Sequence, residues 1–384
     1  MAKNENLHTA KVNANDEFYT QYSDIANELG HYREHFKGKT VYCNCDDPTW
    51  SNFWRFFHNN FSSLGLKKLI STHYQKDTEP SYALIYEGGD DFNMDAGKVI
   101  EIRGNYAEVN GKQVFYTAGD FRSDARIELL EEADICVTNP PWSLFRKYIA
   151  NLIEHNKIFV VLGSINTVTY KDFFPLIKEN KVRPGYSFNK TMEFIMPDEY
   201  LLKGKAYIDK DGKKHGFVPG VCWYTNLDIS KHHDGLWHRA GKFDQTQAHK
   251  YYEGNESKYP KYDNYDAIEV SKTKDIPIDY AGVMGVPITW LDKYNPEEFE
   301  IIELGNSRDN FTPNKDYINP KKHTKDGRVV NGGAINCVLA ISQKDKPYGI
   351  VYYTSDNSDY LVPPYARILI RNRNPIAKKD DLGY

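Results

Sequence analysis

The sequence predicts an α/β fold with a mostly parallel, doubly wound sheet, followed by a smaller domain of mixed α+β structure. Short apolar runs alternate with helical patterns through the first half of the chain. The run Ile135-Cys136-Val137 is bounded by an acid and a double proline, as in a buried parallel strand that stops at its carboxyl end. The chain then becomes polar and rich in tyrosine over 231–277. This change predicts two domains, 1–235 and 236–384.

The elements of the first domain follow from the spacing of apolar residues. Helices are expected through Ile25, Leu29 and Tyr32, after Pro48, and over 124–132, 143–156 and 170–179. Strands are expected over 39–45, 66–71, 135–137, 157–162, 191–196 and 218–225. Short strands with turns at Gly88-Gly89 and Asn110-Gly111 predict a β excursion over 80–118, and Asp211-Gly212 predicts a hairpin.

Composition excludes several classes of protein. The formal net charge of −4 excludes a uniformly basic nucleic-acid coat but leaves room for a local basic surface. No apolar run reaches the ~20 residues that a membrane-spanning helix needs. The polar start lacks the apolar core of a secretory signal. The five cysteines are odd in number and lie mostly in apolar runs, which indicates reduced thiols, so a cytoplasmic protein is expected.

Two clusters raise the question of a metal site. Cys43-x-Cys45 has no second pair at zinc-finger spacing. His232 and His233, with His238, lie on a polar stretch where neighbouring histidines commonly have no ligand. We therefore expect no metal.

The tetrapeptide Asn139-Pro140-Pro141-Trp142 is the chief candidate for chemistry. Its prolines fix φ and lack an N–H, so it forms a rigid loop beyond a strand end, where α/β sheets bind ligands. The Asn139 side-chain oxygen and the Pro140 backbone oxygen can accept both protons of an adenine N6 amine, which localises its lone pair. Trp142 can stack on a base flipped out of a duplex. The structural alternative is a plain Pro-Pro strand terminator.

Several further segments, like this loop, resemble the corresponding segments of one known family. They are Asn15 to Thr20, Asn44-Cys45-Asp46-Asp47-Pro48 with Ser51 and Phe53, Gly119-Asp120-Phe121-Arg122-Ser123, Asp134 to Phe145, stretches within 163–177, and Gly285-Val286-Pro287-Ile288-Thr289. In these segments the chain resembles the S-adenosylmethionine-dependent amino-methyltransferases, specifically the EcoRI-type adenine-specific DNA methyltransferase family. The resemblance covers most of the first 230 residues and implies a Rossmann-like methyltransferase fold with S-adenosylmethionine as cofactor.

The resemblance also implies roles for particular residues. Asn139, Pro140, Pro141 and Trp142 match the catalytic loop, and Asn139 also faces the cofactor. The implied cofactor-binding residues are Phe18, Tyr19, Thr20, Cys45, Asp46, Asp47, Ser51, Asp120 and Phe121.

Two of these acids can act as hydrogen-bond acceptors for particular groups of the cofactor. Asp47 can accept from the cofactor's α-ammonium group in a charge-assisted bond, and Asp120 can accept from the adenine N6 of the cofactor. The alternative for Asp46, Asp47 and Asp120 is helix N-capping. The second strand ends in Ser71-Thr72-His73-Tyr74, without the acid that commonly holds the ribose.

Local charge in the second domain suits DNA. Six Lys or Arg stand against three Asp over 308–328, and five stand against two over 361–384. Such runs suit phosphate contacts, although loop solvation is the alternative for any one lysine. Asn306, Arg308 and Asn310 are residue types that read base edges.

Together these features predict a site-specific adenine-N6 methyltransferase acting on a flipped adenine in double-stranded DNA. A monomer is expected, with no membrane partner. The enzyme either accompanies a cognate restriction endonuclease, which acts on the same site without direct contact, or stands alone. Two alternatives stay open. One is another acceptor, such as cytosine N4, an RNA base or a protein glutamine; the other is a catalytically dead DNA-binding relative.

Overall fold

The computed structural model describes residues 19–72, 80–196, 205–234, 259–306 and 311–375. They form two compact units. The first comprises the described residues up to 165 together with 182–227. The second comprises 166–181 and the described residues from 228 onward. The predicted domain boundary at 235 therefore lies a few residues inside the second unit, which also takes in a segment from the middle of the first predicted domain.

The strands and helices have the following bounds. Strands of the first unit are β1 Tyr19–Thr20, β2 Thr40–Cys43, β3 Lys68–Thr72, β4 Ser81–Tyr86, β5 Lys98–Ile102, β6 Asn105–Val109, β7 Lys112–Tyr116, β8 Ile135–Thr138, β9 Ile158–Ser164, β10 Arg183–Pro184, β11 Met192–Met196, β12 Tyr207–Ile208, β13 Lys214–Val218 and β14 Val221–Thr225. Strands of the second unit are β15 Ile268–Glu269, β16 Met284–Pro287, β17 Phe299–Leu304, β18 Lys321–His323, β19 Val329–Asn331, β20 Ile341–Gln343, β21 Tyr352–Ser355, β22 Ser358–Val362 and β23 Arg367–Asn372. The α-helices of the described residues are α1 Tyr22–Leu29, α2 Arg33–Phe36, α3 Asn52–Asn59, α4 Phe61–Leu64, α5 Asp124–Glu132, α6 Phe145–Glu154 and α7 Phe174–Lys178.

An eight-stranded sheet forms the centre of the first unit, in the order β10-β14-β9-β8-β2-β3-β4-β5. The four middle strands, β9-β8-β2-β3, are parallel. Every residue of β2 and β8 is buried, as expected for strands covered on both faces. In chain order β3 follows β2 on one side and β9 follows β8 on the other. The strand order therefore reverses between β2 and β8.

The prediction of a mostly parallel sheet is wrong at the edges, because the sheet is mixed. β3-β4-β5 pair antiparallel on one side, and β9-β14-β10 pair antiparallel on the other. The β excursion predicted over 80–118 adds β4 and β5 directly to the sheet, since short connections favour antiparallel neighbours. β14 arrives from β13 through a tight turn in which Gly220 has φ +81°.

Two smaller sheets complete the first unit. β6 and β7 pair as a hairpin whose turn is Asn110-Gly111, with positive φ at both residues as such a turn requires. β1-β11-β13-β12 form a four-stranded antiparallel sheet. Its β12–β13 hairpin turns at the predicted Asp211-Gly212. Within this sheet β1 pairs with β11, and Thr20 lies opposite Phe194.

Strands dominate the second unit. They form a sheet β15-β16-β23-β17 and a sheet β19-β18-β21-β22-β20. Between residues 259 and 375, where 307–310 are not described, the helical segments are short 3₁₀ turns. The buried pair Arg367 and Glu269 joins β23 to β15, with the Arg367 Nη2 atom 2.7 Å from the Glu269 Oε1 atom.

None of the helices in the described ranges is both long enough and apolar enough to span a bilayer.

Candidate active site

Two polar loops leave the central sheet at the same edge. The first follows β2 and leads into α3, and the second follows β8 and leads into α6. Because β2 and β8 are parallel neighbours, with Val41 opposite Ile135, their carboxyl ends lie side by side. The reversal of strand order falls between these strands, which is where α/β sheets bind their ligands.

Asp46 joins the two loops. Its side chain is buried, with 4% of the residue exposed. The Oδ1 atom accepts from the Ser51 hydroxyl at 2.8 Å, and the Oδ2 atom accepts from the Thr138 hydroxyl and from the Asn139 backbone N–H at 3.3 Å. Burial raises the pKa of Asp46 to about 6, although these hydrogen bonds favour the carboxylate.

The structure resolves the capping alternative for the acids of the first loop. Ser51 is the N-cap of α3, and its hydroxyl accepts from the Phe53 N–H at 3.0 Å. Asp47 does not cap the helix. Its Oδ1 atom accepts from the N–H and the hydroxyl of Thr49, which tightens the loop. Asp46 and Asp47 are thus both buried acids of the loop itself.

The Asn139 amide is held from both ends. The Trp142 indole N–H donates to its Oδ1 atom at 3.1 Å, and its Nδ2 atom donates to the Thr20 hydroxyl at 3.4 Å. Trp142 meets Phe194 edge-to-face, with ring centroids 6.4 Å apart. Because Phe194 is opposite Thr20 in the small sheet, that sheet supports both ends of the amide.

The double proline carries the chain from β8 into α6. Pro140 is buried, and Pro141 is half-buried. The Leu144 N–H donates to the Pro141 carbonyl at 2.9 Å, which closes a turn before the helix. The start of α6 lies tight against β9, since a Cβ atom on Gly163 would stand 2.5 Å from the Phe145 ring. Gly163, within the 163–177 stretch of the resemblance, therefore has a packing role.

Asp120 lies in the turn before α5, and it too is not a helix cap. The N-cap of α5 is Ser123. Arg122 holds the Asp120 carboxylate with two side-chain bonds, from Nε at 2.8 Å and from Nη2 at 2.5 Å. The Arg122 guanidinium also lies 4.6 Å from the centre of the Tyr116 ring.

A chain of contacts links the Asp120 turn to the loop after β2. Phe121 is buried and meets Tyr148 edge-to-face at 5.3 Å. The Tyr148 hydroxyl donates to the Asn44 Oδ1 atom at 2.5 Å. Below the turn, the buried Arg126 donates to the Gly119 carbonyl at 3.0 Å.

Asp47, Pro140 and Pro141 lie in the two loops described above, and the other predicted site residues fall into three groups. Hydrogen bonds directly connect Thr20, Asp46, Ser51, Asn139 and Trp142. Phe121 is connected to the loop after β2 through Tyr148, whereas its neighbour Asp120 is bonded to Arg122. Cys45 is connected through its N–H, which donates to the Thr138 hydroxyl at 3.1 Å. Phe18 lies outside the described residues, and Tyr19 is described only through its backbone pairing with Ile195.

Sequence reasoning missed Thr138, Tyr148 and Arg126. Thr138 is a polar residue at the end of an apolar strand, directly before the candidate catalytic residue Asn139. This position is the one signal in the sequence for a role of Thr138. Tyr148 and Arg126 have the spacing of ordinary core positions on their helices, and nothing in the sequence separates them from neighbouring core residues.

No cluster of metal-ligating side chains occurs among the residues that the structure describes. Both nearby Asp228 oxygens lie 3.0 Å from His233 Nε2, and His232 is buried. His238 lies outside the described ranges, as do Arg308 and Asn310, whereas Asn306 lies two residues after the end of β17.

This mixed α/β unit, with polar loops at two neighbouring strand ends, is consistent with the methyltransferase class. Comparison with known proteins then identifies the family. The family model described as adenine-specific methyltransferase EcoRI matches residues 6–373. The chain therefore belongs to this family, and it is an adenine-specific DNA methyltransferase.

Curated relatives agree with this assignment. The chain is 47% identical over 314 residues to the Type II methyltransferase M.EcoRI of Escherichia coli, covering 79% of this chain and 90% of the relative. It is 39% identical to M.MpnI of Mycoplasma pneumoniae, covering 87% of this chain and 97% of the relative. It is also 39% identical to M.MgeORF184P of Mycoplasma genitalium, covering 84% and 94%. No solved structure matches the chain.

Proposed function

We propose that the chain transfers a methyl group from S-adenosylmethionine to the N6 amine of an adenine flipped out of double-stranded DNA. The observation that carries this proposal is the Asn139 amide, held in one orientation at the carboxyl end of β8 by Thr20 and Trp142. An amide oxygen fixed in this way is an acceptor placed before the substrate arrives, which is how an active site lowers a barrier.

The donor set of the neighbouring loops fits S-adenosylmethionine. Asp47 and Asp120 offer carboxylates to an ammonium group and to an adenine amine, and Phe121 and Trp142 offer apolar contact. The resemblance of 18–20 and of Cys45, Asp46 and Ser51 to cofactor-binding segments supports the same loops. When bound, the cofactor supplies an electrophilic methyl group on a sulfonium.

The fold supports this placement of the ligand. β2, α3 and β3 make one β-α-β unit, and β8, α6 and β9 make a second, with their parallel strands adjacent in the sheet. We interpret this core as the Rossmann-like part of the first unit, with antiparallel strands added at both edges. The cofactor would then occupy the crevice at the strand-order reversal.

The chain's own residues position the target amine. The Asn139 Oδ1 atom and the Pro140 carbonyl would accept hydrogen bonds from the two N6–H groups, so the nitrogen lone pair is drawn out of conjugation with the purine ring. Transfer would form the bond between N6 and the methyl carbon as the sulfonium S–CH3 bond breaks, with S-adenosylhomocysteine as the neutral leaving group and one N6 proton released to solvent. The Trp142 N–H also donates to the Asn139 Oδ1 atom. Either Trp142 gives up this bond for a stacking contact with the base, or the N6 amine bonds to the second lone pair of the same oxygen. Positioning and charge complementarity supply the catalysis, and the transfer requires no metal.

We assign DNA backbone contacts to the second unit, with the β18–β19 hairpin as the leading element. Residues 321–328 of this hairpin carry four cationic side chains and one carboxylate. The carboxylate, Asp326, pairs with Arg328 at 2.7 Å. The four are Lys321, Lys322, Lys325 and Arg328. This local positive charge on an otherwise acidic chain suits a polyanion.

A labelled-methyl assay tests the proposed reaction. The enzyme is incubated with duplex DNA and tritiated S-adenosylmethionine, and the label is traced to a nucleoside. Label in N6-methyl-2′-deoxyadenosine is expected. Cofactor binding without transfer to any DNA base would rule out the proposed reaction. The enzyme is expected to act as a cytoplasmic monomer, and a cognate endonuclease would cut the same sequence when unmethylated.

A further inference from the structure

Asp46 is a buried acid whose bonds run toward the catalytic loop. Both of its carboxylate oxygens accept from side chains or backbone of this chain, from Ser51 on one side and from Thr138 and Asn139 on the other. Burying a carboxylate costs desolvation free energy, so a buried carboxylate is expected where its hydrogen bonds fix a geometry that an apolar residue could not fix. The bonds to Thr138 and Asn139 point to that purpose.

The Asn139 N–H fixes the peptide plane that carries the catalytic side chain. This N–H donates to the Asp46 Oδ2 atom at 3.3 Å, so the direction of the bond between Cα and Cβ of Asn139 follows the position of Asp46. The Thr138 hydroxyl donates to the same oxygen and accepts from the Cys45 N–H at 3.1 Å. One carboxylate oxygen and one hydroxyl thus connect the loop after β2 to the loop after β8.

We propose that Asp46 is a positioning residue that acts through Thr138 and the Asn139 backbone to aim the catalytic amide, rather than a direct ligand of the cofactor. This inference rests on the proposed function of Asn139. It gives the two acids of the first loop different tasks. Asp47 keeps the cofactor-binding role proposed above, and Asp46 transmits the geometry of the first loop to the catalytic loop.

The Thr138 hydroxyl gives the sharpest test, because valine has nearly the same shape without the hydrogen bonds. Thr138→Val removes a hydrogen bond to a charged group, and such bonds carry a factor of about 10 to 100. We expect kcat for methyl transfer to fall by that factor, while the Kd for S-adenosylhomocysteine changes less than about twofold. Thr138→Ser keeps the hydroxyl and is expected to stay within about threefold of the wild-type kcat.

Thr225→Val is the matched control for general destabilisation. Thr225 is fully buried in β14 of the same sheet, and its hydroxyl donates to the Phe159 carbonyl at 2.7 Å. This variant loses comparable bonds away from the site, so kcat is expected to stay within about twofold of wild type. Asp46→Asn provides a second test, since its amide oxygen can still accept from Thr138 and Asn139. A kcat between those of wild type and Asp46→Ala is expected.

The outcomes separate this inference from the proposed function. Wild-type enzyme that transfers no methyl group would refute the proposed function itself. Active wild type with an equally active Thr138→Val variant would refute the positioning role of Asp46. A Thr138→Val variant that loses S-adenosylhomocysteine affinity and keeps kcat would also refute it, because Asp46 would then serve the cofactor site.

Discussion

Replacing Asn139 with alanine should abolish most of the catalysis and leave the loop folded. The side chain makes bonds to Thr20 and Trp142, but the bonds that hold the loop to Asp46 come from the Asn139 backbone and from Thr138. The substitution therefore removes the proposed acceptor for the target amine without removing the link between the two loops. Cofactor affinity is expected to stay within about threefold of wild type.

The magnitude follows from the role of the amide. Removing one fixed polar group that stabilises a transition state costs about 3–4 kcal/mol, or about 100- to 1,000-fold in kcat. The assay is single-turnover transfer of a tritiated methyl group with enzyme and DNA in excess over cofactor. Asn59→Ala, on the exposed surface of α3, is the matched control and should transfer at the wild-type rate. A wild-type single-turnover rate in Asn139→Ala would refute the catalytic role of the loop.

Three further predictions test other parts of the structure. Trp142→Phe keeps an aromatic face but loses the N–H that holds the Asn139 amide, so kcat should fall about threefold to tenfold. The kcat of Trp142→Ala should fall further because stacking is also lost. Equal kcat values for the two variants would contradict a separate contribution from stacking. Changing the three hairpin lysines to glutamine should lower the slope of log K for DNA against log salt by about 2–3 while kcat at saturating DNA is unchanged; an unchanged slope would exclude phosphate contacts by the hairpin. Asp46 has a pKa raised to about 6 from 3.8, so the folded state binds more protons between these pH values and the Asp46 contribution to stability declines as pH rises through this window. In urea unfolding, the free energy of unfolding of wild type should therefore rise relative to that of Asp46→Asn, by up to about 3 kcal/mol, as pH falls from 7 to 4. A difference between the two proteins that does not depend on pH would contradict the raised pKa.

Local patterns were enough to predict the elements that carry the site. α5 spans 124–132 as expected from its apolar spacing, and β8 differs from the predicted strand by the addition of Thr138. The Asn-Pro-Pro-Trp loop lies at a buried strand end because prolines stop the ladder of hydrogen bonds there. These features depend on neighbouring residues alone, so a sequence is sufficient to find them.

The pairing of distant segments was not predictable in the same way. β4 and β5 were expected as an excursion, yet the sequence does not say that they extend the central sheet antiparallel. Likewise Asp46, Asp47 and Ser51 are all residue types that cap helices, and the path of the loop decides that Ser51 does so. The link from Asp46 to Thr138 spans more than ninety residues and exists because β2 and β8 are neighbours.

The most direct test of the central claim is the identity of the methylated atom in DNA. Duplex DNA from a methylation-free host is treated with the enzyme and tritiated S-adenosylmethionine, digested to nucleosides and separated. We predict that the label elutes with N6-methyl-2′-deoxyadenosine for wild type and is reduced about 100- to 1,000-fold for Asn139→Ala. Label in N4-methyl-2′-deoxycytidine, or equal label in both proteins, would contradict this prediction.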